Sequence, residues 1–148
     1  IVRELAGDEP VLVAYGDCLS DIDIQEMVES HRRQQSLATM AIAHPTGRNE
    51  ILALNEQGCY IGTKQGKKQK HSWVNACSMV LEARAFDYLK ENQENHFALS
   101  LMDCLAAHEP VQTYRHEGFW SPVETIRDKT WMENLWAQHK APWKVWED

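Results

Sequence analysis

The sequence lacks most of the features that settle a protein's class at a glance. No apolar run approaches the roughly 18 residues of a membrane span, and no basic-then-apolar leader precedes the first strand, so a soluble, intracellular chain is expected. Glycine is scarce, seven in 148 residues, and nowhere forms a Gly-rich loop whose backbone N–H groups would wrap a triphosphate. The four cysteines, Cys18, Cys59, Cys77 and Cys104, lie far apart without a CxxC pair. Their spacing indicates neither zinc nor a secreted disulfide framework, and they read as reduced cytoplasmic thiols. Basic charge is in deficit, 15 Lys and Arg against 22 Asp and Glu, for a formal charge of −7. That balance excludes a nucleic-acid or anionic-membrane surface, which needs clustered cations. The single basic run, Lys64 to Lys70, is interrupted by Gln and reads as a solvated loop. Seven histidines form no HxxxH or HExxH pattern. The first residue is Ile1 and not Met, which points to a processed, truncated or excerpted polypeptide.

What is present is an α/β pattern in one domain-sized chain, 43% apolar. Pro10 to Tyr15 is a nearly continuous apolar run and predicts a strand buried on both faces, with Asp17 delivered at its carboxyl end. Ser20 or Asp21 is positioned to cap a helix to about Gln35, and Leu37 to Ala43 predicts a second strand, in the order of a βαβ unit with a parallel pair. Ile51 to Leu54 and Cys59 to Ile61 flank a Gly58 turn and predict a hairpin. A strand over Ser72 to Leu81, helices over Ala83 to Lys90 and Leu99 to Ala107, a strand over Val111 to His116 and a helix from about Thr125 to His139 follow. The tail from Ala141 to Trp146 carries two tryptophans and is expected to dock on its own chain.

Three groups of residues carry a family signal. Gly118-Phe-Trp-Ser-Pro-Val-Glu-Thr-Ile-Arg-Asp-Lys129, with Asn134-Leu-Trp-Ala137 and Lys140-Ala-Pro-Trp-Lys-Val-Trp146, resembles the closing segment of glucose-1-phosphate cytidylyltransferases. Tyr15-Gly-Asp17 with Ser20-Asp-Ile-Asp-Ile24 resembles that family's strand-to-helix metal motif. Pro45-Thr-Gly-Arg48, Trp73-Val-Asn75 and Tyr114-Arg-His116 fall where its other landmarks do, so the resemblance spans the chain.

The resemblance implies a mixed, mostly parallel sheet flanked by helices, of the nucleotide-diphospho-sugar transferase type and incomplete at its N-terminus. Residues 1–148 would then be a partial nucleotidyltransferase domain. The implied reaction joins CTP and glucose 1-phosphate to give CDP-glucose and pyrophosphate, supplying polysaccharide precursors in the cytoplasm. It implies Mg2+ on Asp17 and Glu124, catalytic roles for Asp17 and Lys64, and substrate contacts from Arg48, Asn75, Lys64 and Trp120. On its residues alone, Asp17 reads as a turn or capping residue ahead of a metal ligand, and Asp128 reads as serving the last helix's N-terminus.

Several positions depart from the family pattern. Glu124 stands where Asp is usual, Thr63-Lys-Gln65 where Glu-Lys-Pro is usual, and Asn75-Ala-Cys77 where Asn-Gly-Gly is usual, while Cys18 replaces the Gly after the metal Asp. Phe97-Ala-Leu-Ser-Leu101 and Asn49-Glu50 also differ. With the Gly-rich nucleotide loop lacking, the resemblance implies that this polypeptide alone is inactive, and that a second copy or a partner chain covers the missing half. The competing reading is a noncatalytic, diverged interaction or regulatory protein of the same fold.

Overall fold

The computed structural model describes residues 2–44, 50–64, 72–88 and 97–147. In chain order the elements are α1 (Val2–Ala6), β1 (Val11–Ala14), β2 (Cys18–Ser20), α2 (Ile24–Gln34), β3 (Ala38–Ala43), β4 (Ile51–Leu54), β5 (Tyr60–Lys64), β6 (Val74–Leu81), a 3-10 helix (Ala83–Tyr88), α3 (Phe97–Ala106), β7 (Gln112–Arg115), β8 (Trp120–Pro122) and α4 (Ile126–Ala137).

The central sheet has the order β1-β6-β3-β7. β6 runs antiparallel to both β1 and β3, and β7 runs parallel to β3, so β1, β3 and β7 share one direction. The sheet is therefore mixed with three of its four strands parallel, as the sequence led one to expect. The expected pair is arranged differently, because β6 lies between β1 and β3 and separates the two ends of the β1-α2-β3 unit. β1 also corrects an expectation. It is an edge strand with alternating burial, and Leu12 is 44% exposed, so its apolar run does not reflect burial on both faces.

β3 is buried at every position, and its alternation divides the core in two. Ala38, Met40 and Ile42 pack in one cluster with Leu52, Tyr60 and Leu101, Met102 and Leu105 of α3. Ala41 and Ala43 pack in the other with Met27 of α2, Val74, Ala76, Val80 and Trp120. The β4/β5 hairpin is held to the first layer by its Tyr60, whose N–H donates to the Val111 carbonyl at 2.9 Å and whose O–H donates to Asp103 at 2.6 Å. On the second layer, buried His31 joins α2 to both central strands. Its Nε2 lies 3.2 Å from Glu82 Oε1, and its Nδ1 lies 2.8 Å from the Thr39 hydroxyl. Donation from Nε2–H to the carboxylate leaves Nδ1 to accept from Thr39, so neither ring nitrogen is stranded.

The α2 cap is Asp23, whose carboxylate accepts from Glu26 N–H at 2.9 Å, and neither Ser20 nor Asp21 serves. Ser20 is committed to β2, opposite Trp120 in β8, so the helix cannot begin until the ribbon has ended. The sequence pattern showed neither β2 nor β8, whose three residues each are too short for a period. The expected helix after β6 is a 3-10 helix as far as Tyr88, and its predicted end at Lys90 lies outside the described residues. The tail docks as expected: Trp143 is 8% exposed with its ring 5.5 Å from that of Phe119, while Trp146 rests 6.3 Å from Trp136.

α4 opens on a capping box. The Thr125 hydroxyl accepts from Asp128 N–H at 3.2 Å, and the Asp128 carboxylate accepts from the N–H groups of Thr125 at 2.9 Å and Glu124 at 3.2 Å. The Thr125 hydroxyl also donates to the Asp128 carboxylate at 2.8 Å, and this bond above all holds the Asp128 carboxyl below the usual range. A depressed value in the folded state means that this contribution is complete above the unfolded value and fades as pH falls through the folded one. The stability gap between wild type and Asp128→Asn should be widest at neutral pH and close below about pH 4, as read from urea unfolding across pH. Thr125→Ala should cost about 1 kcal/mol at neutral pH in the same assay.

Candidate active site at the carboxyl edge of the sheet

Because β1, β3 and β7 are parallel, they end on one edge of the sheet, and antiparallel β6 begins there. In open α/β sheets that edge is where ligands bind. The residues that leave the strands on this side are Tyr15-Gly-Asp17 after β1, His44 after β3, Trp73-Val-Asn75 at the start of β6, and Arg115-His-Glu117 at the end of β7.

The β2/β8 ribbon pairs Cys18 with Pro122, Leu19 with Ser121 and Ser20 with Trp120. One further bond extends it, from Val123 N–H to the Asp17 carbonyl at 2.7 Å. It sets the backbone of Asp17 beside the segment that carries Glu124, and both side chains are exposed. Two carboxylates on hydrogen-bonded neighbouring segments, open to solvent, are a donor set that fits a hard divalent cation requiring oxygen ligands.

Behind Asp17 the β6 strand is irregular. Its register with β3 shifts between Met40 and Ile42, and within this bulge Cys77 has φ 64°, a left-handed conformation that favours glycine. The Asn75 amide oxygen accepts from Cys77 N–H at 2.8 Å and braces the bulge, and the Cys77 carbonyl accepts from Tyr15 N–H at 3.0 Å. The bulge carries the Cys77 side chain to Cys18, whose Sγ stands 3.6 Å from Asp17 Oδ1. Hydrogen bonding to Cys77, then burial, then the neighbouring charges push the Cys18 thiol far above its ordinary range. Asp17 contributes to that shift, as its adjacency in sequence implies, but Cys77 contributes more and has no such signal in sequence.

A second group flanks the first. His116 Nε2 lies 3.0 Å from the Phe119 carbonyl and 2.9 Å from Asp21 Oδ1. Its aligned bond goes to the carbonyl, and Asp21 Oδ1 is an ionic neighbour without an aligned donor. Gly118 passes between them. A Cβ built there would stand 2.6 Å from Asp21 Oδ1 and 2.8 Å from His116 Cε1. Nearby, His44 stacks on Trp73 with ring centroids 4.2 Å apart, the Arg115 guanidinium lies 5.6 Å from the same ring, and Glu117 lies 3.2 Å from His44. No periodicity announces this stack, because its members come from three strand ends.

The residues singled out from the sequence divide accordingly. The ribbon sets the backbone of Asp17 against that of Val123, the neighbour of Glu124, and Asn75 lies on the same edge with its amide oxygen engaged by Cys77. Trp120, expected to contact substrate, is instead a core residue at 3% exposure, because β8 turns its ring into the α2 layer. Lys64 is the exposed last residue of β5, in a separate two-stranded sheet. Arg48 lies outside the described residues.

This architecture is that of the sugar nucleotidyltransferases. A Bacillus anthracis structure assigned provisionally as a glucose-1-phosphate thymidylyltransferase, in complex with sucrose, superposes with a TM-score of 0.76 at 16% identity, covering 99% of this chain and 59% of that one. A UDP-glucose pyrophosphorylase from Acinetobacter gives a TM-score of 0.70 at 15% identity, covering 95% of this chain and 56% of that one. In sequence the chain is a homologue of the glucose-1-phosphate cytidylyltransferases. The enzyme of Salmonella typhi is 33% identical over 148 residues, 99% of this chain and 56% of that protein, and the Salmonella typhimurium enzyme is 31% identical over 147 residues, again 99% and 56%. The chain thus spans little more than half the length of these relatives. No protein-family model matches it.

The close approach at Gly118 yields a test of the second group. Gly118→Ala should lower stability by about 1–3 kcal/mol in urea unfolding, the range for forcing an extra methyl into packed surroundings. It should also move the His116 ring resonances, because the methyl displaces Asp21 or the imidazole.

Proposed function

We propose that this chain carries the metal-binding part of a sugar nucleotidyltransferase site, the reaction being that of CTP with glucose 1-phosphate to CDP-glucose and pyrophosphate. The observation that carries the reading is the Val123 to Asp17 backbone bond at 2.7 Å, which sets the segment bearing the exposed Glu124 beside the exposed Asp17 at the carboxyl edge of the sheet. The homology to glucose-1-phosphate cytidylyltransferases supports this choice of base and sugar.

Asp17 and Glu124 are the residues that would hold Mg2+, which when bound supplies charge neutralisation to the phosphates. The position of Asp17 at the end of β1 and the ribbon bond, which limits its backbone freedom, support this role. Glu124 is placed by the turn into α4, whose capping box fixes the backbone just beyond it. Lys64 and Arg48 are proposed to meet the phosphates as cations, and Asn75 supports the site by bracing the bulge beside Asp17. Trp120 anchors β8 from the core and is left out of the substrate contacts. The exposed outer face of edge strand β1, with Leu12, supports a covering partner, either another segment or a second copy.

A second reading, a noncatalytic relative that keeps the fold, is favoured by one observation. Two thiols lie within 4.8 Å of an Asp17 carboxylate oxygen, and they are poor company for Mg2+.

Calorimetric titration with CTP in the presence of Mg2+, with and without glucose 1-phosphate, decides between them. The nucleotidyltransferase reading expects saturable CTP binding that weakens about tenfold or more in Asp17→Ala and in Glu124→Gln, a loss of about 1.4 kcal/mol or more. Binding unchanged by both substitutions favours the noncatalytic relative, whereas no binding to the wild type rules out an assembled nucleotide site in this chain and leaves a fragment or a noncatalytic relative.

A further inference from the structure

Among the described residues, one group brings three metal-ligating side chains together: Asp17, Cys18 and Cys77, whose carboxylate oxygen and two sulfurs all lie within 4.8 Å of one another. We propose that these three side chains form a site for a borderline-soft divalent cation of the Zn2+ class, bound by two thiolates and one carboxylate with a fourth position open to solvent.

The donor chemistry selects the ion. Two sulfurs and one carboxylate suit Zn2+, whereas Mg2+ demands oxygen ligands throughout. The spacing is close to what a bound ion needs. Zinc bonds of about 2.3 Å to sulfur and about 2.0–2.2 Å to oxygen place tetrahedral ligand atoms about 3.6–3.8 Å apart. Cys18 Sγ and Asp17 Oδ1 are already 3.6 Å apart, and the remaining contraction falls to an exposed carboxylate and two half-buried thiols with room to turn.

The backbone supports the same conclusion. A β6 strand that kept its alternation would not direct Cys77 at Cys18. It does so because Cys77 adopts φ 64° within the bulge, a conformation costly to any residue with a Cβ. Asn75 braces that conformation and Tyr15 ties it to the strand before Asp17, so the third ligand is held by hydrogen bonds from two sides. Both cysteines are free, and the Asp17 side chain is exposed, which leaves an entry route and a coordination position for water or a ligand atom. Binding is balanced without any redox step. The cation displaces one proton from each thiol, both protons pass to solvent, and the dithiolate and carboxylate leave the centre with one net negative charge.

The site stands on its own geometry. Only one corollary rests on the nucleotidyl-transfer reading: the shared Asp17 makes this cation and a magnesium ion on Asp17 and Glu124 mutually exclusive.

The test uses the purified, fully reduced chain with Co2+ as the spectroscopic probe, in the absence of nucleotide, so that it does not depend on CTP binding. The expected result is a sulfur-to-cobalt charge-transfer band that saturates at one equivalent and is bleached by Zn2+ but not by excess Mg2+. The band should be lost in the Cys18→Ser, Cys77→Gly double variant, and cobalt affinity should fall about tenfold or more in Asp17→Asn. Glycine suits the backbone at position 77, and circular dichroism of the double variant checks that it is folded. Absence of the band from wild-type protein with all four thiols titratable overturns the proposal. A band that survives in the double variant overturns it equally, since the sulfur ligands would then be others.

Discussion

The molecule is organised around the ladder between β3 and β6. β3 is buried along its whole length, and each of its two faces serves a different helical layer. A strand in that position tolerates no polar side chain without a partner, which is why Thr39, its one hydroxyl, meets His31 of α2. The same ladder sets the direction of the other two strands, since β1 and β7 both take their orientation from β6 or β3. The carboxyl edge, with everything that gathers there, follows from this arrangement.

The ladder is also where regularity gives way. The register shift opposite Ala41 breaks the alternation of β6 at Cys77, and Asn75 spends its amide oxygen bracing the break. A bulge of this sort redirects a side chain while leaving the flanking pairs intact. Here it joins the start of β6 to the segment after β1, and the short β2/β8 ribbon then joins that segment to the start of α4. Asp17 lies where these constraints intersect, with the Cys77 side chain on one side and the backbone of Val123 bonded to its carbonyl on the other.

Much of the fold was legible because its signals are local. The apolar runs of β3 and β6, the helical spacing of α2 and α4, the Gly58 hairpin and the Thr125 and Asp128 cap each need only neighbouring residues to be recognised. The β1 run misled because an edge strand can be as apolar as a central one when one face remains uncovered in this chain. Ser20 and Asp21 misled because both are good capping residues, and only the pairing of Ser20 with Trp120 and the bond from Asp21 N–H to the Phe119 carbonyl showed that they were already committed. Trp120 misled for a related reason. Its place in a motif says nothing about which way a three-residue strand turns it.

The sequence by itself determined the class of fold, the family to which the chain is homologous, and Asp17 and Glu124 as the carboxylates to examine. The fold class rests on composition and short-range periodicity, and the other two rest on the motifs that resemble the family, all of which the chain carries in one dimension. The tertiary structure alone decided that β6 would intervene between β1 and β3, that Trp120 would be buried, and that Cys18 and Cys77 would meet beside Asp17. Cysteine spacing indicates no zinc site built from a local motif. A site assembled from two strands and a bulge has no spacing to read, because long-range pairing and one left-handed residue create its geometry.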